Sequence, residues 1–151
     1  SDESRGLGDV YKRQKVYKEY FDTVGLEFPE ALVDQLIDDA SIFTRTLKVH
    51  YNRPRPYQVA DHPLVKIKIG EEAKMESMNT PSYPSGHSTQ GILIGRVLSD
   101  MFPKHKFNLM NIGLDISKSR NIGRAHYKSD SKFGMKLGRE MFDYLKKMNR
   151  I

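Results

Sequence analysis

The chain has 151 residues, 38% of them apolar and 10% aromatic, enough for one globular domain with a buried core. It contains no cysteine, which excludes disulfides, thiolate metal sites and cysteine nucleophiles. The formal charge of +6 is unevenly placed: residues 1–47 carry net −4 and residues 48–151 net +10, so the later part suits an anionic partner.

Residues 1–14 include the stretch Arg5 to Gln14, RGLGDVYKRQ, which resembles translated adapter sequence. They are read as a non-native segment ahead of a single domain over 15–151. Tyr17, Tyr20 and Phe21 stand at helical spacing before Gly25 and predict a short first helix. Pro29 then suits a helix start, and Leu32, Leu36, Ala40, Phe43 and Leu47 predict an amphipathic helix. It is expected to run to about Tyr51 and to end before the Arg53-Pro54-Arg55-Pro56 run, since each proline biases its predecessor away from helical geometry.

Residues 57–84 read as a long irregular connection, with turn residues around the short alternation Leu64 to Ile69. From Ser85 the helical period returns, with Leu93, Ile94, Val97, Leu98 and Met101 predicted inward and Pro103 closing the segment. Gly91 and Gly95, four apart, would admit a second helix at close range. Leu109, Ile112 or Gly113, and Ile116 predict another helix to about Arg120. Phe133, Leu137, Met141, Leu145 and Met148 predict a last one. Four or five helices with hardly any strand signal make an all-α bundle. No apolar run approaches the ~20 residues of a membrane helix, so a soluble chain is expected. A lost signal peptide would make it periplasmic or secreted, and otherwise it would be cytoplasmic. Apolar helix faces left exposed would favour a homo-oligomer.

Three blocks carry chemistry. Lys48 is followed seven residues later by Arg55 and Pro56; Pro84-Ser85-Gly86-His87 stands at a predicted helix start; and Ser119-Arg120 is followed by His126 and Asp130. Each alone has an ordinary structural explanation: a solvated basic helix end, an N-cap, a packed histidine. Together, in this order, KVHYNRPRP, PSGH and SRNIGRAHYKSD resemble the type 2 phosphatidic acid phosphatase superfamily, whose signature is KxxxxxxRP, PSGH and SRxxxxxHxxxD. That superfamily includes class A acid phosphatases, membrane lipid phosphatases and vanadium haloperoxidases.

The resemblance implies a helical bundle of the acid phosphatase and vanadium haloperoxidase type. It also implies a phosphomonoesterase in which His126 takes the phosphoryl group as phosphohistidine while His87 protonates the leaving group. Beside it stands a physical argument. Phosphoryl transfer without a metal needs several preorganised cations, and Lys48, Arg55 and Arg120 could supply them. The backbone amides of Ser85, Gly86 and His87 would add a helix N-terminal anion site. Asp130, four residues after His126, could fix its tautomer. Ser119 is expected to support Arg120 or the loop rather than to react.

His50, His62 and His105 match no family position and are read as surface or structural. Tyr51, Arg53 and Tyr57 could equally line the entrance or pack the helix end. Lys128 and Phe133 stand where relatives often carry proline and a small residue. No metal or other cofactor is expected, and His126 with Asp130 does not make a metal motif. Vanadate would serve as cofactor only under a haloperoxidase alternative. The expected partner is a phosphorylated small molecule or lipid head group, and no nucleic acid. A catalytically silent basic anion-binding module is the alternative from another class.

Overall fold

The computed structural model describes residues 14–51, 85–122 and 127–151, the side chains of 120–122 excepted. Helix α1 covers residues 14–24. It is followed by α2 (Glu30–Tyr51), α3 (Gly86–Met101), a 3-10 turn (Pro103–His105), α4 (Lys106–Ile122) and α5 (Lys128–Lys147). Among the described residues there is no strand, and the architecture is all-α. The Arg53–Pro56 run, Arg55 included, and the 57–84 connection lie outside the described residues, as do His62 and residues 1–13.

Helix α3 is the axle of the bundle, with α2, α4 and α5 packed around it. It is buried on nearly every side, from Ser88 through Gly95 and again over Val97–Ser99. One layer joins Tyr17 and Phe21 of α1 to Val33, Ile37, Ile94, Leu98 and Leu109. The Phe21 ring stands edge-on to Phe28 and Phe102, with centroids 5.4 and 5.1 Å apart. A second layer joins Leu36, Ala40, Leu93, Val97 and Phe142. Each Val, Leu, Ile and Phe among them contributes ~1.5–3 kcal/mol on burial, so the two layers are what hold α3 in place.

The helix starts follow their sequence signals. The Pro29 carbonyl accepts the first α2 bond from the Val33 amide at 3.0 Å. Ser85 is the N-cap of α3, its Oγ accepting from the Ser88 amide at 3.2 Å. Helix α3 ends at Met101, before Pro103. Tyr20 and His105 are joined, hydroxyl to Nδ1, at 2.8 Å, which gives His105 a structural place. His50 lies exposed with its ring edge-on to Tyr51.

Close helix approach at Gly91 and Gly95 is observed. A Cβ on Gly91 would lie 3.2 Å from the Gly113 carbonyl oxygen, and one on Gly95 would lie 3.1 Å from that of Leu109. The Tyr17 hydroxyl closes this crossing by donating to the Gly91 carbonyl at 2.8 Å.

Two predicted stripes are displaced. On α2 the buried seam is Val33, Leu36, Ile37, Ala40, Thr44 and Lys48, whereas Phe43 is 56% exposed. The seam advances by three and four residues to the end of the helix, but its last two members are polar, so an apolar count selects their neighbours Phe43 and Leu47 instead. On α5 the line of contact is Ser131, Gly134, Gly138 and Phe142, while Phe133 and Leu137 flank it and Met148 is exposed. A Cβ at Gly134 would come within 2.6 Å of the Ser85 carbonyl oxygen, and one at Gly138 within 2.6 Å of that of Thr89. Backbones this close leave no room for the large side chains that a hydrophobic pattern seeks. Met101, predicted inward, is 46% exposed at the end of α3.

Candidate active site

The pairings along each helix crossing fix which ends meet. Helix α2 runs antiparallel to α3: Ser41 faces Gln90, whose Nε2 donates to the serine Oγ at 3.0 Å, and Thr44 faces Gly86. A Cβ on Gly86 would sit 3.8 Å from Thr44 Oγ1. Lys48, one turn beyond Thr44, therefore stands at the N-terminal end of α3, and it is 9% exposed. Its aliphatic stem is packed against the bundle at that end.

Helix α4 is also antiparallel to α3, stepping from Gly95 opposite Leu109, through Gly91 opposite Gly113, to Ser88 opposite Ser117. The next turn of α4 carries Ser119 and Arg120 to the same end of the bundle as Lys48. The backbone of Arg120 is helical there, and its side chain lies outside what is described. The Ser119 hydroxyl donates to the Ile116 carbonyl at 2.8 Å, so it bonds back to its own helix.

Helix α5 runs parallel to α3 with a constant offset, Gly134 against Ser85 and Gly138 against Thr89. The two N-termini consequently lie side by side. They are tied by the Ser85 amide, which donates to the Asp130 carbonyl at 3.1 Å. Asp130 is fully buried, and its Oδ2 accepts from the Tyr127 amide at 2.8 Å, closing the first turn of α5. Tyr127 is the chain neighbour of His126, which lies outside the described residues, as does Arg55.

Two expectations are modified. The Ser85 amide is committed to a protein acceptor, so it does not belong to a helix N-terminal anion site; Ser85 is the cap and clamp of that turn. Gly86 and His87, both half-buried, occupy the first turn of α3. Asp130 has a structural bond that sequence spacing alone did not suggest, on the backbone of Tyr127.

Sequence reasoning passed over the residues that make these crossings tight. Gly134 and Gly138 repeat the four-residue spacing of Gly91 and Gly95, a signal that was there to be read. Thr44, Ser88, Gln90 and Ser117 are all buried polar side chains on the seams, and nothing in a hydrophobic pattern marks them.

The arrangement gathers the ends of α2 and α4 and the starts of α3 and α5 at one pole. Two parallel helix N-termini there supply positive potential next to a buried lysine. Such a pole can hold an anion near the first turn of α3, where His87 stands in the chain.

The family model for the PAP2 superfamily matches residues 36–144. An acid phosphatase of Zymomonas mobilis is 30% identical over 129 residues, 79% of this chain and 46% of the relative. A non-specific acid phosphatase of Salmonella typhimurium is 33% identical over 95 residues, 63% of this chain and 36% of the relative. One of Providencia stuartii is 29% identical over 104 residues, 69% of this chain and 40% of the relative. The chain thus spans less than half the length of these curated relatives. No solved structure gives a significant match. Among the described residues no helix is long and apolar enough to cross a membrane.

Proposed function

Because the chain belongs to the PAP2 superfamily, we propose that it hydrolyses phosphate monoesters without a metal ion, through a phosphohistidine on His126. The observation that carries this reading is the meeting of the α3 and α5 N-termini beside the buried Lys48, which supplies the positive pole that a phosphate dianion requires.

Phosphoryl transfer is largely a matter of positioning and charge. Lys48, Arg55 and Arg120 offset the charge on the three equatorial oxygens, the arginines by paired bonds and the lysine as a point charge. The amides of Gly86 and His87 complete the cradle, and the absence of a side chain on Gly86 lets the anion come close. Ser85, its amide already used, offers its hydroxyl proton at most.

A neutral imidazole nitrogen of His126 attacks phosphorus. The P–O bond to the alcohol breaks, and His87 gives its proton to the departing oxygen. Water then loses a proton to His87 and attacks the same phosphorus, the P–N bond breaks, and orthophosphate leaves with both histidines restored. Asp130 fixes the His126 ring from the first turn of α5.

The test is hydrolysis of p-nitrophenyl phosphate, sugar phosphates and a lysophospholipid phosphate in excess chelator, comparing the parent with His126→Ala. Turnover by the parent that vanishes in His126→Ala, with phosphate still bound, is the expected result. Activity that depends on added divalent metal, or that survives in His126→Ala, overturns the reading. Oxidation of bromide by peroxide on addition of vanadate would replace it with the haloperoxidase alternative.

A further inference from the structure

Along the α3–α4 crossing, two of the three steps are contacts between glycine and backbone. They set how near the helix axes come, but they carry no directional bond. The third step joins two buried hydroxyls, Ser88 Oγ and Ser117 Oγ, 2.6 Å apart. Ser88 is 0% exposed and Ser117 3%. Ser88 follows His87 in the chain, and Ser117 precedes Arg120 by three residues, so the bond joins the α3 turn that carries His87 to the α4 turn next to Arg120 in the backbone. Neither serine is a fixed position of the three motif blocks.

We propose that Ser88 and Ser117 are a positioning pair for phosphoryl transfer: their hydrogen bond sets the slide and rotation of α4 on α3, and with it the register of the α4 turn bearing Arg120 against the α3 turn bearing His87. The proposal rests on the phosphatase reading above. Its physical basis is a contrast. Replacing both members of a buried hydroxyl pair by apolar groups is close to neutral for stability, whereas removing one strands the other. Two alanines would therefore seal this seam nearly as well as two serines. What alanines cannot do is choose among the small slides that a smooth glycine crossing permits, and a displacement of ~1 Å at a catalytic group costs about a hundred-fold in rate.

The test uses Ser88→Ala, Ser117→Ala and the double variant in the full chain. The quantities measured are melting temperature, kcat and KM on p-nitrophenyl phosphate, and dissociation constants for vanadate and orthophosphate by calorimetry. Each single variant is expected to melt below the parent, and the double variant to recover most of that loss. Activity is expected not to recover with it: the double variant keeps a kcat reduced by about ten-fold or more. Vanadate, which adopts the five-coordinate geometry of the transition state, is expected to bind about ten-fold more weakly, and orthophosphate less than about three-fold.

A double variant with the parent's kcat and vanadate affinity overturns the proposal. So does one that fails to fold, or a series in which activity and melting temperature fall together through all three variants. The parent separates this from failure of the phosphatase reading. A parent that binds vanadate but hydrolyses no ester refutes hydrolysis and leaves vanadate affinity to decide the pair; a parent that binds neither anion refutes both.

Discussion

The Ser85 amide donates to the Asp130 carbonyl oxygen at 3.1 Å, fastening the first turns of two parallel helices to each other. Directly alongside, the Ser85 carbonyl lies so near α5 that a Cβ on Gly134 would come within 2.6 Å of it. The junction is thus made of backbone on both sides and has little freedom to open. It holds the turn at Ser85-Gly86-His87 and the first turn of α5 in one piece, although they are separated by some forty residues of chain and a whole helix.

Asp130 contributes to this junction in two separable ways. Its Oδ2 accepts the Tyr127 amide at 2.8 Å, a bond that a carboxamide oxygen can also accept. Asp130→Asn is therefore expected to lose only ~0.3–1 kcal/mol, the value of a negative charge at a helix N-terminus. Asp130→Ala strands a backbone donor and is expected to cost ~1–3 kcal/mol. Turnover should fall in both, by about a hundred-fold or more in Asp130→Asn, because an amide presents the wrong partner to a catalytic imidazole. Melting curves beside kcat check this; an Asp130→Asn variant with full activity would remove Asp130 from the chemistry.

How much of this could be read in the chain depends on what each residue contributes to a pattern. The helices of α2 and α3 were legible because apolar residues recur at three and four, and the site blocks because they are fixed spacings of rare types. The contact lines were less so. Thr44 and Lys48 complete the α2 seam yet count as polar, and Gly134 and Gly138 make α5 contacts through having no side chain at all. Antiparallel and parallel registers, which decide that Lys48, His87 and Asp130 share one pole, depend on long-range packing that no local window contains. The Ser85 amide illustrates the same limit: an N-cap is a local signal, but its bond to Asp130 is not.

Glycine at two sites is expected to respond in opposite ways. Among the described residues a Cβ on Gly86 meets only Thr44 Oγ1, at 3.8 Å, an ordinary contact, so Gly86→Ala should melt within ~1 kcal/mol of the parent and gain slightly in helix propensity. Under the proposed phosphate site its kcat/KM should nevertheless drop by about ten-fold, since the added methyl group narrows the first turn of α3 that the anion is proposed to approach. A Cβ on Gly138 meets the Thr89 carbonyl oxygen at 2.6 Å, and Gly138→Ala should lose ~1–3 kcal/mol while folded molecules keep their activity. Equal effects on stability and turnover in both variants would contradict the separation.

Tyr17 makes the stability of the fold sensitive to alkali. Burial pushes its phenol pKa well above the ordinary tyrosine range, and its hydroxyl is held by the Gly91 carbonyl. The folded chain therefore keeps this proton where the unfolded chain, with a pKa of ~10, gives it up. The unfolded state then binds fewer protons, and stability falls as pH rises above ~10, by up to about 1.4 kcal/mol per pH unit from this group. Below that range the contribution is complete. Tyr17→Phe is expected to cost ~0.5–1.5 kcal/mol at neutral pH and to flatten the alkaline limb of a denaturation series. An alkaline limb as steep in Tyr17→Phe as in the parent would assign the effect to other groups.

His87 governs the pH dependence of catalysis if it protonates the leaving alkoxide. The rate then requires the imidazolium: activity is present below its pKa in the complex and lost above it, starting from an ordinary histidine value of ~6.5. Cations and the α3 N-terminus favour the neutral ring, whereas a bound phosphate dianion favours the charged one. The limb in kcat, which reports the complex, should consequently lie at higher pH than the limb in kcat/KM, which reports the free enzyme. Leaving-group dependence supplies an independent check. His87→Asn should slow hydrolysis of an alkyl phosphate by about 10²–10⁴-fold, the usual value of a general acid, and p-nitrophenyl phosphate by much less, since its phenolate departs without help. A flat pH profile from acid to alkaline, or an equal loss on both substrates, would take the proton from His87.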